Sequence, residues 1–124
     1  MNEINNICND LGLPIGDDFT QDWAYELSDE YRTEEWLDKY ITAYLNNGCS
    51  VNSKNELMTL CLDVTNDLLS TGTSVINATI IKVLNTLIYN YQQHVDLINY
   101  WSLDDEPLED CFALTPEIRK LKKY

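Results

Sequence analysis

From Thr33 onward the chain alternates apolar and polar positions at a helical period. Trp36, Leu37, Tyr40, Ile41, Tyr44 and Leu45 fall within half of a helical wheel, and Glu35, Asp38, Lys39, Thr42 and Asn46 fill the other half. Thr33-Glu34-Glu35 supplies the start: the threonine hydroxyl accepts from an orphan amide, and the two glutamates oppose the helix dipole. Asn47-Gly48 supplies the stop, because glycine readily takes the left-handed conformation of a C-terminal cap. A second helix is predicted from Ser53-Lys54-Asn55-Glu56, which reads as a capping box. It buries Leu57, Leu60, Cys61, Val64 and Leu68, with Met58, Leu62 and Leu69 widening the stripe, and ends at Thr71-Gly72-Thr73. Its polar face is Glu56, Thr59, Asp63, Asn66 and Asp67.

The third periodic stretch starts near Ser74. Ile76, Ile80, Val83, Leu84, Leu87, Tyr91, His94, Ile98 and Trp101 keep one phase, either in one long helix or in two that meet near Gln92-Gln93. The β-branched residues weaken helix propensity here, but no period-2 alternation supports strands. At the ends, Ile4, Ile7 and Leu11 predict a short helix stopped by Gly12 and Pro14. Thr20 to Leu27 reads as another helix, although Trp23, Tyr25 and Leu27 also alternate as a strand would. Thr115-Pro116-Glu117 opens a last helix, with proline at its first position. The expected fold is all-α, one compact bundle of about five to six helices spanning residues 1–124 as a single domain.

Composition leaves that expectation in place, since 44% hydrophobic residues fill a core and acidity here does not mean disorder. Charge adds a functional constraint. There are 21 acidic residues against 8 basic ones, a formal net charge of −13, which repels phosphate backbones and anionic lipid surfaces. Direct binding to nucleic acid or membrane is therefore not expected, whereas basic proteins are attracted. The charge is uneven: residues 1–38 hold eleven acids and only Arg32 as a base. Residues 39–100 carry a net of −1, residues 101–111 carry five acids and no base, and residues 112–124 carry a net of +3. Uniform solubility does not require such a distribution.

Met1-Asn2-Glu3-Ile4 lacks the basic-then-apolar pattern of a secretory signal, and no apolar run reaches the roughly 20 residues that span a bilayer. Cys8, Cys49, Cys61 and Cys111 are scattered without a CxxC pair, which predicts reduced thiols in a cytoplasmic protein rather than a disulfide framework or zinc site. The single histidine, His94, lies on the apolar stripe and reads as structural; no nucleophile elbow accompanies it. The acidic run from Asp104 to Asp110 lacks the alternating ligands and turn glycine of a calcium loop, and the four glycines form no phosphate loop. No cofactor, metal or enzymatic activity is expected.

A binding surface fits better. Acids interleave with aromatic residues at Asp17, Asp18, Asp22, Trp23, Tyr25, Glu26, Asp29, Glu30, Tyr31, Glu34, Glu35 and Asp38, and a second cluster comprises Asp104, Asp105, Glu106, Glu109 and Asp110. Tryptophan and tyrosine are enriched at interface hot spots, and carboxylates accept from a partner's arginines in bidentate geometry. Trp36 and Trp101 fit core stripes, whereas Tyr89 and Tyr100 fall on the polar side of the third stretch, with Gln93 and Asp96, as candidates for a second contact.

In size, acidity and helical content the chain resembles the small immunity proteins that neutralise bacterial toxins, especially those of contact-dependent growth inhibition systems. The shorter four-helix immunity proteins of colicin nucleases do not align with it, so no residue roles are carried over. The resemblance implies a cytoplasmic inhibitor that binds a basic toxin domain, often a nuclease, and covers its active site. The alternative is a secretion chaperone or another acidic protein-binding module.

Overall fold

The computed structural model describes residues 10–12, 29–46, 50–107, 109 and 111–122. Among them are five α-helices and no strand, which agrees with the all-α expectation. They are α1 (Glu34–Asn46), α2 (Val51–Ser70), α3 (Ala78–Tyr89), α4 (Val95–Ser102) and α5 (Thr115–Leu121). Short 3-10 turns cover Asp29–Tyr31 and Tyr91–His94. The expected first helix is described only at its end, where Asp10 and Leu11 are helical and Gly12 has φ +85°. The expected element at Thr20–Leu27 and the stop at Asn47-Gly48 lie outside the described residues.

α2 is the axis of the fold. Leu57, Met58, Leu60, Cys61, Leu62 and Val64 are all fully buried, which takes more than one face of a helix. α1 and α3 pack on it and on each other, and the Tyr91–His94 turn closes against it. From α1 come Leu37, Tyr40, Ile41 and Tyr44; from α3, Ile80, Val83 and Leu87; from α4 and α5, Ile98, Trp101 and Ile118. Fully burying a side chain of this kind contributes about 1.5–3 kcal/mol before chain entropy is counted.

The helix ends show which local signals won. Ser50, not Ser53, caps α2: its hydroxyl accepts from the Ser53 amide at 3.3 Å, and Ser53 is itself buried. The capping-box reading was therefore three residues late. At the other end a Schellman turn forms, in which the Thr73 amide donates to Leu68 and the Gly72 amide to Leu69, with Gly72 at φ +103°. Asn77, rather than Ser74, caps α3 through bonds from the Thr79 and Ile80 amides at 2.9 and 3.2 Å. Ile76 consequently lies in the preceding turn, 76% exposed, and is not part of the buried stripe. The long periodic stretch is two helices separated by the Tyr91–His94 turn.

The last segment is fastened by polar contacts. Thr115 does not cap α5; buried, it donates to the Trp101 carbonyl at 2.8 Å, while the Leu114 amide donates to Asn66 Oδ1 at 3.1 Å. α4 ends on Leu103, whose φ of +41° is left-handed. The carbonyls exposed by that turn are taken by Arg119, which donates to Ser102 at 2.6 Å, to Glu106 at 2.8 Å and to Leu103. A cation is favourable at a helix C-terminus, where the dipole is negative. Replacing Arg119 by alanine strips three carbonyls of a charged donor, and an expected loss of about 2 kcal/mol follows, with Arg119→Lys recovering less than half because lysine has no planar fork. Urea denaturation of both variants measures this; a change below about 0.5 kcal/mol would show that water replaces the guanidinium.

Candidate protein-binding surface

The acidic residues before and within the first turns of α1 are exposed: Asp29, Glu30, Glu34, Glu35 and Asp38. Two features put them on a rigid support. Arg32 sends Nη2 to Asp63 and Nε to Asp67, one turn apart on α2, and its side chain is only 7% exposed. The Tyr40 hydroxyl donates to the Tyr31 carbonyl at 2.7 Å, which ties the same segment to α1. Arg32, the lone base of the acidic third, is thus engaged by Asp63 and Asp67 of α2.

Glu34, Glu35 and Asp38, with Thr33 and Thr79, line one open depression between the starts of α1 and α3. Among the described residues, its charged lining groups are those three carboxylates. Lys82 reaches Asp38 at 3.6 Å across an exposed gap, and Lys39 lies over the Trp36 ring at 4.1 Å rather than on an acid. Tyr31 and Trp36 meet edge to face at 5.1 Å beside the acids, both half-buried and packed against the core. Tyr31 thus offers an edge, not a whole ring. Trp36, expected in the core, is at its margin.

The second cluster is partly spent. Lys122 forms an ion pair with Asp104, and this holds the Asp104 carboxyl below its ordinary range. Asp105, Glu106 and Glu109 are exposed. The sign reversal between residues 101–111 and the tail is therefore an internal clasp, with Arg119 and Lys122 folding back on the loop. Asp17, Asp18, Asp22, Trp23, Tyr25, Glu26 and Asp110 lie outside the described residues. The C-terminal half of α2 receives Arg32 on Asp63 and Asp67 and the Leu114 amide on Asn66.

His94 is 1% exposed and occupied on both ring nitrogens. Tyr44 Oη lies 2.7 Å from Nε2 and Asn55 Oδ1 lies 2.8 Å from Nδ1. A neutral ring with its hydrogen on Nδ1 satisfies both: it donates to Asn55 and accepts from the Tyr44 hydroxyl. Burial, aided by the Lys54 charge, lowers its pKa from 6.5 to about 4. The imidazole is a bolt joining α1, α2 and the turn after α3. Of the described cysteines, Cys61 is buried and Cys111 half-buried, both as free thiols, and burial pushes the Cys61 thiol far up.

The sequence places Asp63 and Asp67 on the polar face of α2 but does not show that Arg32 joins them into one structural unit. The available signal was the i, i+4 spacing of two carboxylates on one helix, a geometry one guanidinium can straddle. Among the described residues no helix is long and apolar enough to cross a membrane, and no group of three or more His, Cys, Asp or Glu could hold a metal ion. The chain matches no protein family, no curated protein and no solved structure with which it was compared.

Proposed function

We propose that this chain is an immunity or inhibitor protein that binds a basic toxin domain, of nuclease type, and covers its active site with the acidic surface at the start of α1. One observation carries the reading: Glu34, Glu35 and Asp38 are the charged groups among the described residues that line one depression, on a segment held to α2 by Arg32. Such a surface presents fixed carboxylates where a nuclease domain expects phosphates. Long-range attraction speeds the encounter, and bidentate acceptance of arginines supplies the contacts. Asp105, Glu106 and Glu109 extend the negative field from the other cluster.

The test starts from the tagged chain in an extract of the cells that encode it, with elution by rising salt, followed by activity assays of any basic domain recovered. The expected result is a stoichiometric basic domain whose activity this chain suppresses. The variant Glu34→Lys/Glu35→Lys/Asp38→Lys should then associate about tenfold or more slowly at low ionic strength, with a flattened salt dependence. An unchanged association rate would remove the surface assignment, and the absence of any basic partner would remove the function.

A further inference from the structure

The apolar phase that runs from α3 into α4 passes through the 3-10 turn Tyr91–His94, and such a break inside a helical run often marks a hinge. Beyond it, α4 and α5 pack mainly on each other and on the turn, while the turn itself packs on α2 and α3. This C-terminal segment has its own fastenings. Thr115 donates to the Trp101 carbonyl, and Arg119 donates to the carbonyls of Ser102, Leu103 and Glu106. Lys122 pairs with Asp104, and Trp101 meets Phe112 edge to face at 4.9 Å.

Among the described residues, the hydrogen bonds that tie residues 91–122 to α1 and α2 run through two points. One is His94, which is bonded to Tyr44 of α1 and to Asn55 of α2. The other is the Leu114 amide on Asn66 Oδ1. Among the described residues, the buried side-chain nitrogens that lack a hydrogen-bond partner, Gln93 Nε2 and Trp101 Nε1, both belong to this segment. A buried donor left unpaired costs stability, and opening returns it to water. Ile98, Trp101, Leu114 and Ile118 bury the apolar side of the joint and hold it closed while the ring is neutral.

We propose that residues 91–122 form an acid-released segment: a proton on His94 undoes its bond from Tyr44 and leaves a buried cation beside Lys54, and the segment opens at Asn90 while α1 and α2 stay folded. The neutral ring spends its one hydrogen on Asn55 and its lone pair on the Tyr44 hydroxyl. An added proton takes that lone pair. Tyr44 from α1 and Lys54 and Asn55 from α2 face the ring, and among the described residues Lys54 is the charge that acts on it. The charges of the adjoining helices lie outward: Lys82 of α3 and Asp96 of α4 are exposed, and Lys82 is paired with Asp38. Burial and then Lys54 lower the pKa of the closed form from 6.5 to about 4, so closure is fully supported above 6.5 and loses support as pH falls towards 4.

Hydrogen exchange of the full chain at about pH 7 and pH 5, read peptide by peptide and corrected for intrinsic exchange rates, tests this. At the lower pH the amides of α4 and α5 should open about tenfold or more often than the buried amides of α1 and α2, a comparison that needs no variant. Their opening should rise about twentyfold from pH 7 to pH 5, the ratio that follows from the two ring pKa values. His94→Gln should abolish the rise. Asn66→Ala, which removes the other tie, should raise opening at both pH values and keep the rise, which separates the histidine from general loosening. Equal protection of all helices at pH 5 overturns the proposal, because the molecule then opens only as a whole. A rise that persists in His94→Gln overturns it as well.

Discussion

Replacing Arg32 with methionine is expected to cost about 3 kcal/mol of folding stability at neutral pH, the largest effect of any single polar change considered. The side chain removed is small in area, but what remains is a carboxylate without its cation. Asp63 has a side chain only 14% exposed and stands one turn from Asp67. Even with Arg32 in place, burial raises the Asp63 pKa, and the Asp67 charge adds to the rise against the lowering by the guanidinium. Without Arg32 the Asp63 pKa rises further, so the folded form binds a proton at Asp63 more readily than the unfolded chain does. The sign follows: a group raised in the folded state stabilises it below the unfolded pKa and loses that stability as pH climbs through the folded one. The deficit of Arg32→Met should therefore be largest at pH 7 and shrink towards pH 4. The paired change Arg32→Met/Asp63→Leu should recover most of the loss, since an apolar pair avoids the desolvation of both ions. A cycle by urea denaturation reads the coupling; a single-variant loss below about 0.5 kcal/mol would mean that solvent screens the pair.

Acidification offers the second large effect. His94 titrates at about 4 in the folded protein against 6.5 when free, because burial and then Lys54 disfavour its charge. Between those values the unfolded chain holds a proton that the folded one does not. Stability therefore rises with pH across that window and is lost as pH falls from 6.5 to about 4, by about 3 kcal/mol in all. The groups facing the ring are Tyr44 from α1 and Asn55 and Lys54 from α2. A proton on Nε2 would place a donor against the Tyr44 hydroxyl, which then has to rotate and lose its own bond. His94→Gln keeps a polar bridge without titrating, so its stability should change far less over the same range. Equal slopes for the two proteins would show that other groups set the acid response.

Much of the scaffold could be read from the chain because its helices are strongly amphipathic. Leu37, Tyr40, Ile41 and Tyr44 stand at core spacing in the sequence and are buried in the structure. The departures have physical causes. Two serines three residues apart could each cap α2, and only the fold decides that Ser53 goes inside. The break after Tyr89 was left open because a 3-10 turn rotates the chain in the same sense as an α-helix, so the apolar phase from Leu87 to Ile98 survives it. What marks the break is Asn90, whose side chain folds back on the Thr86 carbonyl at 2.9 Å. The candidate surface was legible as composition: carboxylates crowd residues 29–38 in the sequence and are exposed in the structure. Pairing was not legible, because which base meets which acid depends on elements distant along the chain. Arg32 finds Asp63 and Asp67 on α2, and Lys122 returns to Asp104.

The exposed carboxylates of the α1 ledge are chemically separate from what holds the protein together. The fold is fastened by Arg32, His94, Thr115 and Arg119, whereas Glu34 and Glu35 are exposed and Asp38, among the described residues, makes one exposed pair, worth at most about 1 kcal/mol. Sequence change at those three positions costs folding little, about 1 kcal/mol or less at each, the largest share being the favourable place of Glu34 and Glu35 at the helix start. A lineage carrying this scaffold can exchange the identity and sign of its ledge residues step by step, following an altered counterpart, without passing through an unstable intermediate.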